Sequence, residues 1–194
     1  MSARRSSRSE APLLAWGETL RARKERRRTL RRAGLALACG IALLGLTIVV
    51  PPAPRLVWNA SASAPVGLYA ISPGRPVAVG DMVLARLPKG WRSFAASRRY
   101  LPANVPLVKR VAAGPGDEVC ALRDLIVLNG QPVVRRLEVD GAGRSMPHWR
   151  GCHRLRTGEY FLLMTASPAS FDGRYFGITS ASDIIGPARL LWAR

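Results

Sequence analysis

Lysine is nearly missing from this basic chain. Of its 30 basic residues only Lys24, Lys89 and Lys109 are lysine, and the 12 acidic residues leave a net charge of +18. Histidine (two) and cysteine (three) are also scarce. His148 and His153, taken with Cys120 and Cys152, lack zinc-finger spacing, so no metal reading competes. There is no internal repeat, and no low-complexity tract beyond a basic head. No aromatic-rich groove motif accompanies the charge, which argues against specific reading of nucleic acid. Charge itself is absent from residues 33–50, and that absence organises the chain.

Those 18 residues, Ala33 to Val50, carry neither a charge nor a polar stripe. At about 1.5 Å per residue a helix here spans about 27 Å, near the lower limit for a bilayer core. Pro51 and Pro52 stop it. A buried core helix would normally show a polar stripe, so the segment reads as a membrane anchor. Residues 1–32 hold eleven Lys and Arg against three Glu, directly before it. The positive-inside rule then puts the N-terminus in the cytoplasm and residues 51–194 outside it, with the lipid bilayer as partner. A cleaved signal peptide wants small residues after the apolar run, where this chain has Val-Val-Pro-Pro, so the anchor is expected to be retained. The exported part has 19 basic and 9 acidic residues, a balance suited to an anionic membrane surface.

Beyond residue 65, short apolar runs alternate with Gly, Pro and Asp, the pattern of an antiparallel, mainly β domain. Strands are expected at 67–71, 82–86, 106–113, 125–128, 133–136, 160–164 and 189–192, with a short helix at 93–101. Asn129-Gly130 marks a hairpin turn. Residues 120–155 read as a small subdomain inserted into the main sheet. Cys39 belongs to the anchor, where a small apolar side chain suffices. Cys120 and Cys152 could pair in an oxidising compartment, closing a loop worth about 3–4 kcal/mol, or could be two unrelated buried thiols.

Lys24 lies in a basic run and Lys89 in a Pro-Lys-Gly turn, so both are expected to be solvated. Lys109 sits in Val105-Pro-Leu-Val-Lys-Arg-Val-Ala-Ala113, where alternation places it on one face with Leu107 and Val111. Arginine never acts as a base in a protein, whereas a lysine removed from water can lose its proton near neutral pH. A base needs a nucleophile. Small residues and Pro65 would leave the Ser63 hydroxyl accessible at a turn, with Ser61 two residues away. Taken alone, Ser63 is as readily a turn serine, and Lys109 a surface lysine on an edge strand.

Four stretches in order change that balance: Ser61-Ala-Ser-Ala-Pro65, Gly80-Asp-Met-Val-Leu84, Leu107-Val-Lys-Arg-Val-Ala-Ala-Gly-Pro-Gly-Asp117 and Ser170-Phe-Asp-Gly-Arg-Tyr-Phe-Gly177. Together they resemble the type I signal peptidases, membrane-anchored serine proteases with a Ser/Lys dyad. More narrowly, residues 59–69, the Cys120/Cys152 pair and 170–177 are similar to the conjugal-transfer TraF-type peptidases, which mature pilin. The resemblance covers roughly 33–192. It implies a signal-peptidase-like antiparallel catalytic domain behind one transmembrane helix, with Ser63 as nucleophile and Lys109 as general base. It further implies an oxyanion hole from the Ser61 hydroxyl and the Ser63 N–H, a lysine-orienting Ser170, and a bracing ion pair of Asp172 with Arg174. No cofactor is implied. Five positions in three places depart from the wider family: Ala64 replaces methionine, Thr165-Ala-Ser167 replaces Gly-Asp-Asn, and Gly173 replaces a common serine. These put ordinary secretory substrate preference in question.

For Lys109 to serve at pH 7, its pKa must fall from near 10.4 to near 7, a differential destabilisation of roughly 4 kcal/mol. Burial against Leu107, Val111 and other aliphatic neighbours is the expected cause. The expected substrate is a membrane-inserted pilin or secreted precursor, cut at the outer face of a bacterial inner membrane by a periplasmic domain. Hydrolysis and cyclisation both remain open, as do the rivals: a general signal peptidase, an envelope scaffold without catalysis, and a DNA tether using residues 1–32.

Overall fold

The computed structural model describes residues 11–50 and 52–194, with the backbone alone over 11–15. It divides into two compact units, 1–52 and 53–194. In the first, α1 runs without interruption over Ala11–Val49, so the basic run from Arg21 to Arg32 and the apolar run share one helix. Arg and Lys are good helix formers, and no Gly-Pro break separates the two runs. Arg4, Arg5 and Arg8 of the basic head, and Pro51, lie outside the described residues. From Trp16 to Val49 this helix is long and apolar enough to cross a membrane.

The second unit is mainly antiparallel β. In chain order it contains β1 (Leu56–Asn59), β2 (Gly67–Ile71), β3 (Met82–Ala85), α2 (Lys89–Ser97), β4 (Leu107–Ala113), β5 (Glu118–Leu122), β6 (Leu125–Leu128) and β7 (Gln131–Arg135). It continues with β8 (Gly151–Arg154), β9 (Glu159–Leu163), α3 (Gly173–Phe176), β10 (Thr179–Ser180) and β11 (Ile184–Ala193). A seven-stranded sheet has the order β1-β2-β11-β3-β4-β9-β10, and a four-stranded sheet the order β7-β6-β5-β8. The smaller sheet lies entirely within the connection from β4 to β9, from Glu118 to Arg154.

Alternation along β3 and β4 buries both faces of the large sheet. Val83, Ala85, Leu107 and Val111 enter one core cluster with Leu162 and Phe176. Leu84 and Val108 enter a second with Ala64, Tyr69 and Met164. Strands read from short apolar runs are in place. Asn129 and Gly130, both at positive φ (50° and 78°), make the β6–β7 hairpin turn.

The differences have physical reasons. α2 begins at Lys89 because Pro88 supplies its N-cap, and it ends early because Arg99 turns left-handed (φ 58°). The N–H groups of Tyr100 and Leu101 then bond back to the Ala95 carbonyl. β11 extends back to Ile184 through Gly186-Pro187, which reads in sequence as a turn. Gly186 sits where any Cβ would come within 2.2 Å of the Ser72 carbonyl oxygen, so two strands approach there only because the side chain is missing. β1, β5, β8 and β10 lie outside the expected strands: β1, β8 and β10 are held by cross-strand pairing, whereas β5 also buries Val119 and Ala121 in the core.

Candidate active site

β4 delivers Lys109 into the protein interior opposite Val83 of β3. Its side chain is only 4% exposed. The ammonium donates to Ser63 Oγ at 2.7 Å and to Ser170 Oγ at 2.8 Å. Ser170 is itself buried, at 1% exposure. A charge here has two hydroxyls for solvation where water would give many more partners. Burial accordingly lowers the Lys109 pKa from 10.5 to about 8, with Asp172 opposing the fall and Arg174 adding to it.

Ser63 lies in the turn between β1 and β2. Its Oγ is 2.9 Å from Ser61 Oγ, and its N–H donates to Ser61 Oγ at 3.4 Å. Ser61 Oγ therefore lies beside both the N–H and the hydroxyl of Ser63, next to the oxygen that Lys109 holds. Asn59, buried at the end of β1, reaches into the same turn. Its Nδ2 donates to the carbonyls of Ser61 (2.9 Å), Ala64 (3.2 Å) and Pro65 (3.0 Å), while its Oδ1 accepts from Ser61 N–H at 3.2 Å. The Tyr69 hydroxyl also donates to the Pro65 carbonyl, at 2.9 Å.

The second wall is the 164–174 segment. Arg174 Nε and Nη2 donate to the two oxygens of Asp172 at 2.8 and 3.0 Å, with both side chains fully buried. The same guanidinium donates to the carbonyls of Met164 (2.8 Å), Ser167 (3.2 Å) and Pro168 (2.9 Å). Asp172 also accepts from Met164 N–H at 3.0 Å and caps α3. One buried ion pair thus laces the loop that carries Ser170. Gly173 is accounted for here: a Cβ would lie 2.7 Å from the Leu162 carbonyl oxygen and 2.8 Å from the Phe161 ring. The serine common elsewhere does not fit this packing.

Ser61, Ser63, Lys109 and Ser170 border a cavity of about 700 Å³, whose walls include Leu101, Val105, Met146, Phe171 and Tyr175. Residues 138–146 form part of its rim, folded back by a bridge between Val139 and Ser145. Tyr100 donates its hydroxyl to Asp140 at 2.5 Å, and Arg144 closes an ion pair with the same carboxylate at 2.7 Å. These bonds, the tyrosine's foremost, hold the Asp140 carboxyl well below the usual carboxylate range. Sequence reasoning missed Asn59, Tyr100 and Asp140. An asparagine two residues before a turn serine was the one available mark.

Cys120 and Cys152 are bonded to each other across β5 and β8, directly opposed in register. Cys39 is a free thiol on α1. Glu118 stands close to the bonded pair, but bonded sulfurs offer no thiolate to a metal.

Chemically, the arrangement joins a hydroxyl, a buried amine of lowered proton affinity and a neighbouring hydroxyl and backbone N–H at the edge of an apolar cavity. That set suits acyl transfer. The family described as signal peptidase, peptidase S26, matches residues 28–193. The plasmid transfer protein TraF of Escherichia coli is 36% identical over 169 residues, covering 81% of this chain and 93% of that protein. The conjugal transfer protein TraF of Agrobacterium fabrum is 31% identical over 174 residues, covering 84% and 95%. Among solved structures, a signal peptidase I from Enterococcus faecalis aligns over 60% of this chain and 98% of its own, at 20% identity and a TM-score of 0.35.

Proposed function

The chain belongs to the signal peptidase (peptidase S26) family, and from that premise we propose that it is a serine endopeptidase with Ser63 as nucleophile and Lys109 as general base. One observation carries the assignment: a lysine 4% exposed, its amine 2.7 Å from one serine hydroxyl and 2.8 Å from another. Neutral Lys109 accepts the Ser63 proton as Oγ attacks the scissile carbonyl. The carbonyl oxygen, now negative, displaces the Ser61–Ser63 contact and takes both donors, each worth about 3–4 kcal/mol of barrier. The tetrahedral species collapses, the C–N bond breaks, and Lys109 returns its proton to the leaving amine. An ester on Ser63 remains. Water, activated by the same lysine, releases an acid; an amine in its place forms a new peptide bond. Ser170 aims the lysine throughout, and the Asp172–Arg174 pair fixes Ser170.

The substrate is a membrane-inserted precursor, a conjugative pilin subunit in the reading that the TraF relatives support. The anchor makes one pass of a bacterial inner membrane with the N-terminus in the cytoplasm, supported by the basic residues that precede it. The paired Cys120 and Cys152 suit an oxidising periplasm. Small side chains before the cut are expected, with the rest of specificity set by the cavity walls.

The test is to co-express the chain with the pilin precursor of its own transfer system and take intact masses. Wild type should shorten the precursor, and Ser63→Ala should leave it whole. A product about 18 Da below the linear chain would identify the pilin's own amine as acceptor, since ring closure forms one amide in place of a carboxyl and an amine. Processing by Ser63→Ala would remove Ser63 from the chemistry.

A further inference from the structure

Asn59 is buried to 8% exposure, yet it lines the catalytic cavity at the end of β1, outside the groups that react. Its amide is used in full. Two N–H bonds serve three carbonyls, those of Ser61, Ala64 and Pro65, and the oxygen takes the Ser61 N–H. Those backbone groups flank Ser63 on both sides. Within the turn itself the backbone has only long bonds, Ala64 N–H to Ser61 O and Ser63 N–H to Ser61 Oγ, both 3.4 Å, and the one short contact joins the two serine hydroxyls. The Asn59 amide supplies the missing constraint: a rotation that swings Ser61 away from Ser63 breaks at least one of its bonds.

We infer that Asn59 is a positioning residue for the oxyanion donors, holding the Ser61 hydroxyl and the Ser63 N–H on one point. The inference rests on the reading of Ser63 and Lys109 above. It assigns to Asn59 a task that Lys109 and Ser170 cannot perform, because Lys109 bonds the hydroxyls of Ser63 and Ser170, Ser170 bonds the Lys109 amine, and neither side chain bonds the 61–65 backbone. Tyr69 bonds only the Pro65 carbonyl and cannot stand in for Asn59 at Ser61. Aspartate at this place keeps the shape and the acceptor for Ser61 N–H, but turns an oxygen toward three carbonyls and loses every donor.

The distinguishing measurement is a double-mutant cycle on the full-length chain in detergent micelles, with the pilin precursor as substrate. Asn59→Ala and Asn59→Asp should each lower kcat about 10- to 100-fold with KM within about threefold, in line with loss of an oxyanion donor. Ser61→Ala should lower kcat by about 100-fold or more. Asn59 and Ser61 changed together should lose no more than about threefold beyond the larger single loss, because both act on one donor. A merely structural role predicts losses that multiply, or a fall in thermal midpoint with kcat per folded molecule unchanged; either overturns the inference. Near-UV circular dichroism gives the folded fraction of each variant, and if Asn59→Ala does not fold, the Asn59→Asp cycle decides. Wild-type enzyme that leaves the precursor whole overturns the peptidase reading, and this inference with it.

Discussion

Lys109 sits among apolar residues with two hydroxyls for company, and its charged form is roughly 3 kcal/mol worse off than in water, judged by the fall of its pKa from 10.5 to about 8. Its neutral form, the proposed base, is then about a tenth of the population at pH 7 and about half at pH 8. The rate should follow that population. On a soluble peptide spanning the cut, kcat/KM should rise about tenfold between pH 6 and 7 and level off above about pH 8.5; a flat profile below pH 8, or an inflection near 10, contradicts the assignment. Asp172→Asn should do two separable things. It leaves the Arg174 guanidinium buried without a counter-charge, a loss of about 3–5 kcal/mol in urea unfolding. It also removes the charge that holds the lysine pKa up, so the inflection should move below 8 in whatever remains folded. Lys109 was legible in the sequence because it is the one lysine on an apolar face of an arginine-rich chain. Asn59 was not, since an asparagine beside a Ser/Ala/Pro run looks the same whether it is solvated or serves as a buried template.

At the level of elements, hydrophobic alternation located β2, β3, β4, β6 and β9 within a residue or so of their observed limits. It failed at β8 and β10, where pairing rather than burial makes the strand. β8 (Gly-Cys-His-Arg) is mostly exposed and polar, and β10 has two residues; neither has a pattern to read. The inserted sheet shows what such strands depend on. Its β5–β8 pair is bridged by Cys120–Cys152. Cys120→Ser with Cys152→Ser, or reduction, should lower unfolding free energy by about 3–4 kcal/mol in the chain-entropy account. The proposed dyad lies on and beside the seven-stranded sheet, so kcat per folded molecule at low temperature should hold within about threefold. A collapse of kcat without loss of stability would show that the inserted sheet shapes the site directly.

For the whole molecule, the division into 1–52 and 53–194 makes a further test direct. All three core clusters fall within the second unit, so residues 53–194 should fold alone and cut a soluble peptide within a few-fold of the full chain. Confinement of enzyme and substrate to one bilayer raises their effective concentration. The truncated form should therefore lose about 100-fold or more on the membrane-inserted precursor, read as initial rate in liposomes. Equal rates on that precursor would mean the helix contributes nothing to encounter. The extent of that helix was only half legible: the charge-free run is plain in sequence, but arginine-rich segments are compatible with helix or coil, and the chain takes helix back to Ala11.

If an amine able to give up its proton drives the reaction, Lys109→Arg should abolish it. Arginine keeps the positive charge and most of the length but never acts as a base. The measurement is the initial rate of precursor processing by this variant from pH 6 to 9, alongside wild type, with folded fraction checked by thermal unfolding. The expected result is a folded protein with at least about a 1000-fold loss at every pH, on the order seen when a nucleophile loses its base. A folded Lys109→Arg protein that processes precursor at a rate near wild type would show that Lys109 is not the base.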